Sequence, residues 1–107
     1  MFRVFTTDDF DKDFQRLDKS EQLRVEKILD QLIEKGSDIG KPLSGLSFFR
    51  EKKFDGKRLY FLVYEDLLAI LVIATSDKKA QQTTINRILL DISRYQQYII
   101  NMLKSKL

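Results

Sequence analysis

Apolar residues recur along this chain with two different periods, and the change of period divides it. Phe10, Phe14 and Leu17 fall at i, i+4 and i+7, one stripe of a helix. Thr6 and Thr7 stand before Asp8 and Asp9, which supplies hydroxyl caps followed by acids for a first turn. Asp18-Lys19 interrupts the stripe. Ser20 is the expected cap of a second helix, whose Val25, Ile28, Leu29, Leu32 and Ile33 make a fuller stripe ending at Gly36. Residues 8–35 therefore predict an antiparallel helical hairpin, led by a short strand of β-formers over Phe2–Phe5. Residues 37–47 hold two glycines and the only proline, and read as a loop.

Beyond the loop the period shortens. Strands are expected over 48–54, 57–64 and 67–75, joined by a two-residue Asp55-Gly56 turn and a second turn at Glu65-Asp66. Leu67–Ala74 does not alternate, as suits an interior strand covered on both faces. From Lys79 the helical period returns. Ile85, Ile88, Leu89, Ile92, Tyr95, Ile99 and Met102 mark the buried face of one long helix over 79–104. The order is β-α-α-β-β-β-α. It predicts a single α+β domain over 1–107, with a small, mostly antiparallel sheet packed by the hairpin and the C-terminal helix.

Composition narrows the chemistry. The chain has no cysteine and no histidine, which excludes a disulfide framework, a thiolate zinc site and imidazole catalysis; no metal or other cofactor is expected. The N-terminus shows no signal-peptide pattern. The longest apolar run is the eight residues Leu67–Ala74, against roughly 20 for a membrane span, so a soluble cytoplasmic protein is expected. Charge is uneven. Residues 1–47 carry 8 basic against 10 acidic side chains, net −2, and residues 48–107 carry 11 against 6, net +5. Such asymmetry suggests one face made for an anion.

The cations concentrate on two strands. On 48–54, Arg50, Lys52 and Phe54 share one face, and Phe49, Glu51 and Lys53 the other. On 57–64, Arg58, Tyr60, Leu62 and Tyr64 share a face. A strict two-residue turn pairs Lys53 with Arg58 and Lys52 with Leu59; a bulge or longer turn reverses this. Cleavage of RNA through its own 2′-OH needs a group to take the hydroxyl proton, a cation for the phosphorane and an acid for the leaving oxygen. Without histidine, a lysine among other cations is a candidate for the proton work, since neighbouring positive charge lowers a lysine pKa. Arg58 is the best phosphate clamp, because guanidinium stays charged and binds two oxygens at once. Glu51 is a second candidate base. Lys78 and Lys79 stand where the last helix begins, a favourable place for a phosphate. The plainer account of these residues is a solvated, aggregation-resistant strand surface. Tyr95 shares the apolar stripe and reads as core, and Tyr98 as a surface residue able to stack.

Order and motifs together resemble the RelE/ParE toxin superfamily of prokaryotic type II toxin–antitoxin systems, over most of residues 3–92. The resemblance rests on the hairpin, on Lys41-Pro42-Leu43-Ser44-Gly45-Leu46, on Phe49-Arg50-Glu51-Lys52-Lys53-Phe54, on Gly56-Lys57-Arg58-Leu59-Tyr60-Phe61, and on Lys78-Lys79 with Gln81-Gln82. It implies a toxin that cleaves mRNA in the ribosomal A site, with ribosome, mRNA and a neutralising cognate antitoxin as partners and no membrane. By the same resemblance Lys52, Arg58 and Lys79 are the candidate catalytic set, and Arg50, Lys53, Lys57 and Lys78 the candidate RNA contacts. The chain departs from the pattern in two ways. Ala80–Asn86 offers neither the tyrosine nor the histidine that several active members place near the end, and the C-terminal helix is long, which makes it a candidate oligomer interface. The alternatives implied are a gyrase inhibitor of the ParE kind and a non-catalytic RNA- or antitoxin-binding domain.

Overall fold

The computed structural model describes residues 1–105. Thr7 opens the first helix, α1 (Asp8–Arg16), by accepting the Phe10 N–H on its hydroxyl at 3.1 Å. The second helix, α2 (Lys19–Lys35), begins earlier than a Ser20 cap would allow. Asp18 accepts the Glu21 N–H at 2.8 Å, and the Glu21 carboxylate accepts the Asp18 N–H at 3.1 Å. This reciprocal box satisfies two orphan donors where a lone serine hydroxyl would satisfy one. Gly36 ends α2 at φ +51, and a Cβ there would fall inside the Phe2 ring. Only glycine fits both constraints.

Five strands follow the expected order with one addition: β1 (Arg3–Thr6), β2 (Lys41–Leu43), β3 (Leu46–Phe54), β4 (Lys57–Tyr64) and β5 (Ala69–Asp77). The additional strand is β2, inside the segment that composition marks as loop. It pairs with β3 at the sheet edge, the one place where a proline lacking its N–H does no harm. The sheet order is β1-β5-β4-β3-β2, with β1 parallel to β5 and the other neighbours antiparallel. Asp55 and Gly56 both have positive φ, +47 and +75, the geometry that matches strand twist in a two-residue hairpin. The β4–β5 connection is instead a helical turn over Glu65–Leu67 with Leu68 left-handed at φ +49, so β5 starts at Ala69.

The C-terminal helix is broken. In place of one helix over 79–104 the chain forms α3 (Gln81–Leu90) and α4 (Ile92–Ser105), separated at Asp91. A straight helix of that length would run about 39 Å, beyond the 35 Å longest extent of the molecule. The break lets Ile85, Ile88 and Ile99 all reach the same side of the sheet. The opposite side receives Phe10, Val25, Ile28 and Leu32 of the hairpin, against Leu59, Phe61, Ile70 and Val72. Strands β4 and β5 are therefore buried on both faces, as their unbroken apolar runs require. Among the described residues, no helix is long and apolar enough to cross a membrane.

One irregularity positions the site. Tyr60 pairs with Ala74 but Phe61 pairs with Val72, so Ile73 is an extra residue on β5. Such a bulge leaves backbone groups without ladder partners. Past the end of β1, the cap and first turns of α1 supply partners to this stretch of β5: the Thr7 hydroxyl donates to the carbonyl of the bulged Ile73 at 2.7 Å, and Asp13 Oδ2 accepts the Thr75 N–H at 2.9 Å. Across the bulge the alternation of β5 shifts by one. Ile70 and Val72 face the hairpin, whereas Ile73, Ala74 and Ser76 face α3.

Candidate functional site

The register of β3 with β4 is Phe54 to Lys57, Lys53 to Arg58 and Lys52 to Leu59. Lys53, Arg58 and Ser76 thus form one row across three adjacent strands, since Arg58 also pairs with Ser76. Glu51, Tyr60 and Ala74 form the next row on the same face. Lys53 is exposed, while Arg58 is 7% exposed. The Arg58 Nη1 donates to the Gly56 carbonyl at 3.3 Å, and its Nε lies 4.0 Å from Glu51 Oε1 without a hydrogen bond of its own.

Glu51 is the least expected member. Its side chain is 1% exposed, a costly place for a carboxylate unless it is compensated. Gln81 Nε2, at the start of α3, donates to Glu51 Oε1 at 3.0 Å, and Lys41 Nζ approaches Oε2 at 3.7 Å. Oε2 has no hydrogen-bond partner among the described residues. The centre is therefore an incompletely satisfied acid–guanidinium pair, roofed by the first residue of α3. Beside it Tyr60 is fully buried, and its hydroxyl lies 2.8 Å from Ser76 Oγ. Ser76 in turn donates to the Asp77 carbonyl at 3.0 Å. Burial pushes the Tyr60 phenol above its ordinary pKa and the nearby Glu51 charge adds to this, while the Ser76 bond and Arg58 oppose it.

The remaining basic residues separate into free and occupied. Lys78 and Lys79 are exposed, immediately after Asp77 and at the mouth of α3. Lys52 lies on the hairpin face of β3, opposite to Arg58, and lines an open groove of about 440 Å³ at the β2–β3 edge together with Lys41, Glu51 and Lys53. Arg50 is spent on the fold: its guanidinium donates to the carbonyls of Ile39 at 2.9 Å, Gly40 at 2.8 Å and Ser47 at 3.1 Å. Lys57 is held at 2.9 Å by Glu21 of α2. The structure thus gathers Arg58 and Lys53, with Lys78 and Lys79 on the chain that follows Ser76, and turns Lys52, Arg50 and Lys57 toward the other face. Sequence reasoning did not find Ser76, or the part Gln81 plays in holding Glu51. Of the two last-helix tyrosines, Tyr95 is half-buried and Tyr98 donates to the Thr6 carbonyl at 3.2 Å, away from this cluster. Among the described residues, no cluster of acids suited to a metal ion occurs.

No protein-family model and no curated protein sequence matches the chain. Solved structures do. A doubly substituted Escherichia coli RelE toxin in the free state superposes with a TM-score of 0.67 at 17% identity, covering 81% of this chain and 97% of that one. The archaeal RelE–RelB complex of Pyrococcus horikoshii gives 0.63 at 18% identity, with 72% and 94% covered. The RelB–RelE complex of Methanococcus jannaschii gives 0.62 at 14% identity, with 76% and 98% covered. The chain has the α+β fold of the RelE toxins.

Proposed function

We propose that this chain is the toxin of a type II toxin–antitoxin pair, acting in the cytoplasm as a ribosome-dependent mRNA endonuclease and neutralised by a partner antitoxin. The observation that carries the reading is the Lys53–Arg58 cross-strand pair on an α3-facing sheet surface, with Lys78 and Lys79 on the chain leaving that surface. A planar guanidinium at Arg58 suits the two non-bridging oxygens of a scissile phosphate. Lys53, one strand away and exposed, is better placed than Lys52 to meet the 2′-hydroxyl, because Lys52 projects from the other face. Lys78 and Lys79 would contact flanking phosphates. The antitoxin rests on the fold likeness to toxins solved with RelB.

The test is cleavage of a defined mRNA on programmed ribosomes, mapped by primer extension. Wild type is expected to cut within the A-site codon, Lys53→Ala to lose roughly 10²-fold in rate, and Lys52→Ala to stay near wild type. Wild-type protein that is folded and cuts nothing would overturn the nuclease reading. A second reading, a non-catalytic binder of RNA or antitoxin, draws on the burial of Arg58 beside Glu51, which offsets its charge. RNA retained on a filter without cleavage, with or without ribosomes, would favour it.

A further inference from the structure

The chain has no histidine, and the start of its last helical segment has no tyrosine, so the group that protonates the leaving oxygen has to come from elsewhere. One hydroxyl pair stands on the face of Lys53 and Arg58. Ser76 is the cross-strand neighbour of Arg58, and the buried Tyr60 touches it at 2.8 Å. Because Ser76 Oγ donates to the Asp77 carbonyl, the shared proton of the pair belongs to Tyr60, which donates to Ser76.

We propose, resting on the nuclease reading above, that Ser76 delivers a proton to the departing 5′-oxygen and that Tyr60 replaces it. Neighbouring strands lie about 4.8 Å apart, so Lys53 and Ser76 flank Arg58 on opposite sides. An in-line displacement needs that layout, with the attacking and leaving oxygens on opposite sides of a phosphorus held by the clamp. As the 2′-oxygen loses its proton to the base, the O2′–P bond forms and the P–O5′ bond breaks, its electron pair passing to O5′. The Ser76 hydroxyl turns from the Asp77 carbonyl and gives its proton to O5′. Tyr60 gives its own to Ser76 Oγ, and the buried phenolate left behind sits beside Arg58 until a proton from solvent returns to it through the half-exposed Ser76 hydroxyl. The products are a 2′,3′-cyclic phosphate and a free 5′-hydroxyl. An unperturbed phenol, near pKa 10, is a stronger acid than the sugar alcohol it serves; burial of Tyr60 narrows that margin, and the bond to Ser76 and the Arg58 charge oppose the rise. Ser76 touches the substrate in this step; Tyr60 acts through it and is a positioning residue and proton store.

The plainer role for the pair is satisfaction of a buried phenol, and a sulfur substitution separates the two. Single-turnover cleavage is measured on programmed ribosomes with an ordinary mRNA and with one whose scissile 5′-oxygen is replaced by sulfur, since a departing thiolate needs no proton. Tyr60→Phe, which keeps the buried ring, and Ser76→Ala are each expected to cut the ordinary mRNA roughly 10²-fold more slowly and the sulfur mRNA at the wild-type rate. Ser76→Thr, which keeps a hydroxyl, is expected to retain most activity on both. Equal losses on both substrates would mean a structural role and overturn the relay, and so would no loss on either. Wild type that cleaves neither mRNA would overturn the nuclease reading itself and the relay with it, a result distinct from the other two.

Discussion

Replacing Thr7 by valine removes two hydrogen bonds without leaving a hole, because valine has nearly the same shape. One is the cap from the Phe10 N–H, typically worth about 1 kcal/mol. The other is the hydroxyl bond to the Ile73 carbonyl at 2.7 Å, at a residue only 8% exposed. Losing it leaves a bulge carbonyl beneath α1 without a partner, a cost of about 1–3 kcal/mol. The expected loss is thus about 2–4 kcal/mol. With a urea slope of about 1–3 kcal/mol per molar, the midpoint should fall by about 0.7–4 M. Thr6→Val is the matched control: its hydroxyl bonds only to the exposed Asp11 at 2.9 Å, so it should cost less than about 1 kcal/mol. Hydrogen exchange at Thr75, whose N–H is held by Asp13 at 2.9 Å, should quicken in Thr7→Val and not in Thr6→Val. Equal urea midpoints for the two variants would refute the claim that α1 secures the bulge.

Four further outcomes follow from single contacts. Gly36→Ala should cost more than about 2 kcal/mol, from its positive φ and from collision with Phe2, whereas Gly56→Ala, at φ +75 with open space around it, should cost about 1–2 kcal/mol; adding Phe2→Ala to Gly36→Ala should be markedly less than additive in a melting series. Arg50→Met should lower stability by about 2–4 kcal/mol, since three carbonyls lose a charged donor, yet leave the cleavage rate per folded molecule unchanged at low temperature. The Lys57 bond is the main cause holding the Glu21 carboxyl below its ordinary 4.5. A depressed acid stabilises the fold above its unfolded pKa and loses that contribution as pH falls through the folded value, so Glu21→Gln should lower the urea midpoint slightly at pH 7, where the contribution is fully present, and converge with wild type as pH falls below about 4.5. Glu51→Met, which strands Arg58 without its counter-charge, should cost about 3 kcal/mol, and the double variant with Arg58→Met should recover most of it in a double-mutant cycle.

Much of the fold was legible because each piece carried a local cause. The stripe of Val25, Ile28 and Leu32, the Asp55-Gly56 turn and the unbroken run into β5 each specify an element without reference to the others. The break at Asp91 was not legible: the apolar period continues through it, while a straight helix over 79–104 would outrun the 35 Å longest extent of the molecule. The expected β3–β4 register followed from turn length alone and put Lys53 beside Arg58, whereas the resemblance had favoured Lys52. The partners of Arg50 and Lys57, three loop carbonyls and Glu21, were not legible, because a sequence displays charge but not what it pairs with.

Ser76 shows the deeper limit. Strict alternation along β5 places it with Val72, on the hairpin side, and a single extra residue at Ile73 carries it across to Arg58. Nothing in the apolar run 69–74 marks which residue bulges, since every one of them is buried. The side chains that hold this stretch of β5 lie about 60 positions away, the Thr7 hydroxyl on the bulged Ile73 carbonyl and the Asp13 carboxylate on the Thr75 N–H. A residue that begins α1 therefore also helps to hold the strand that puts Ser76 next to Arg58. Stability and the candidate site share these contacts, so a substitution in α1 that loosens the bulge should disturb the Ser76–Tyr60 contact while the β3–β4 register keeps Lys53 beside Arg58.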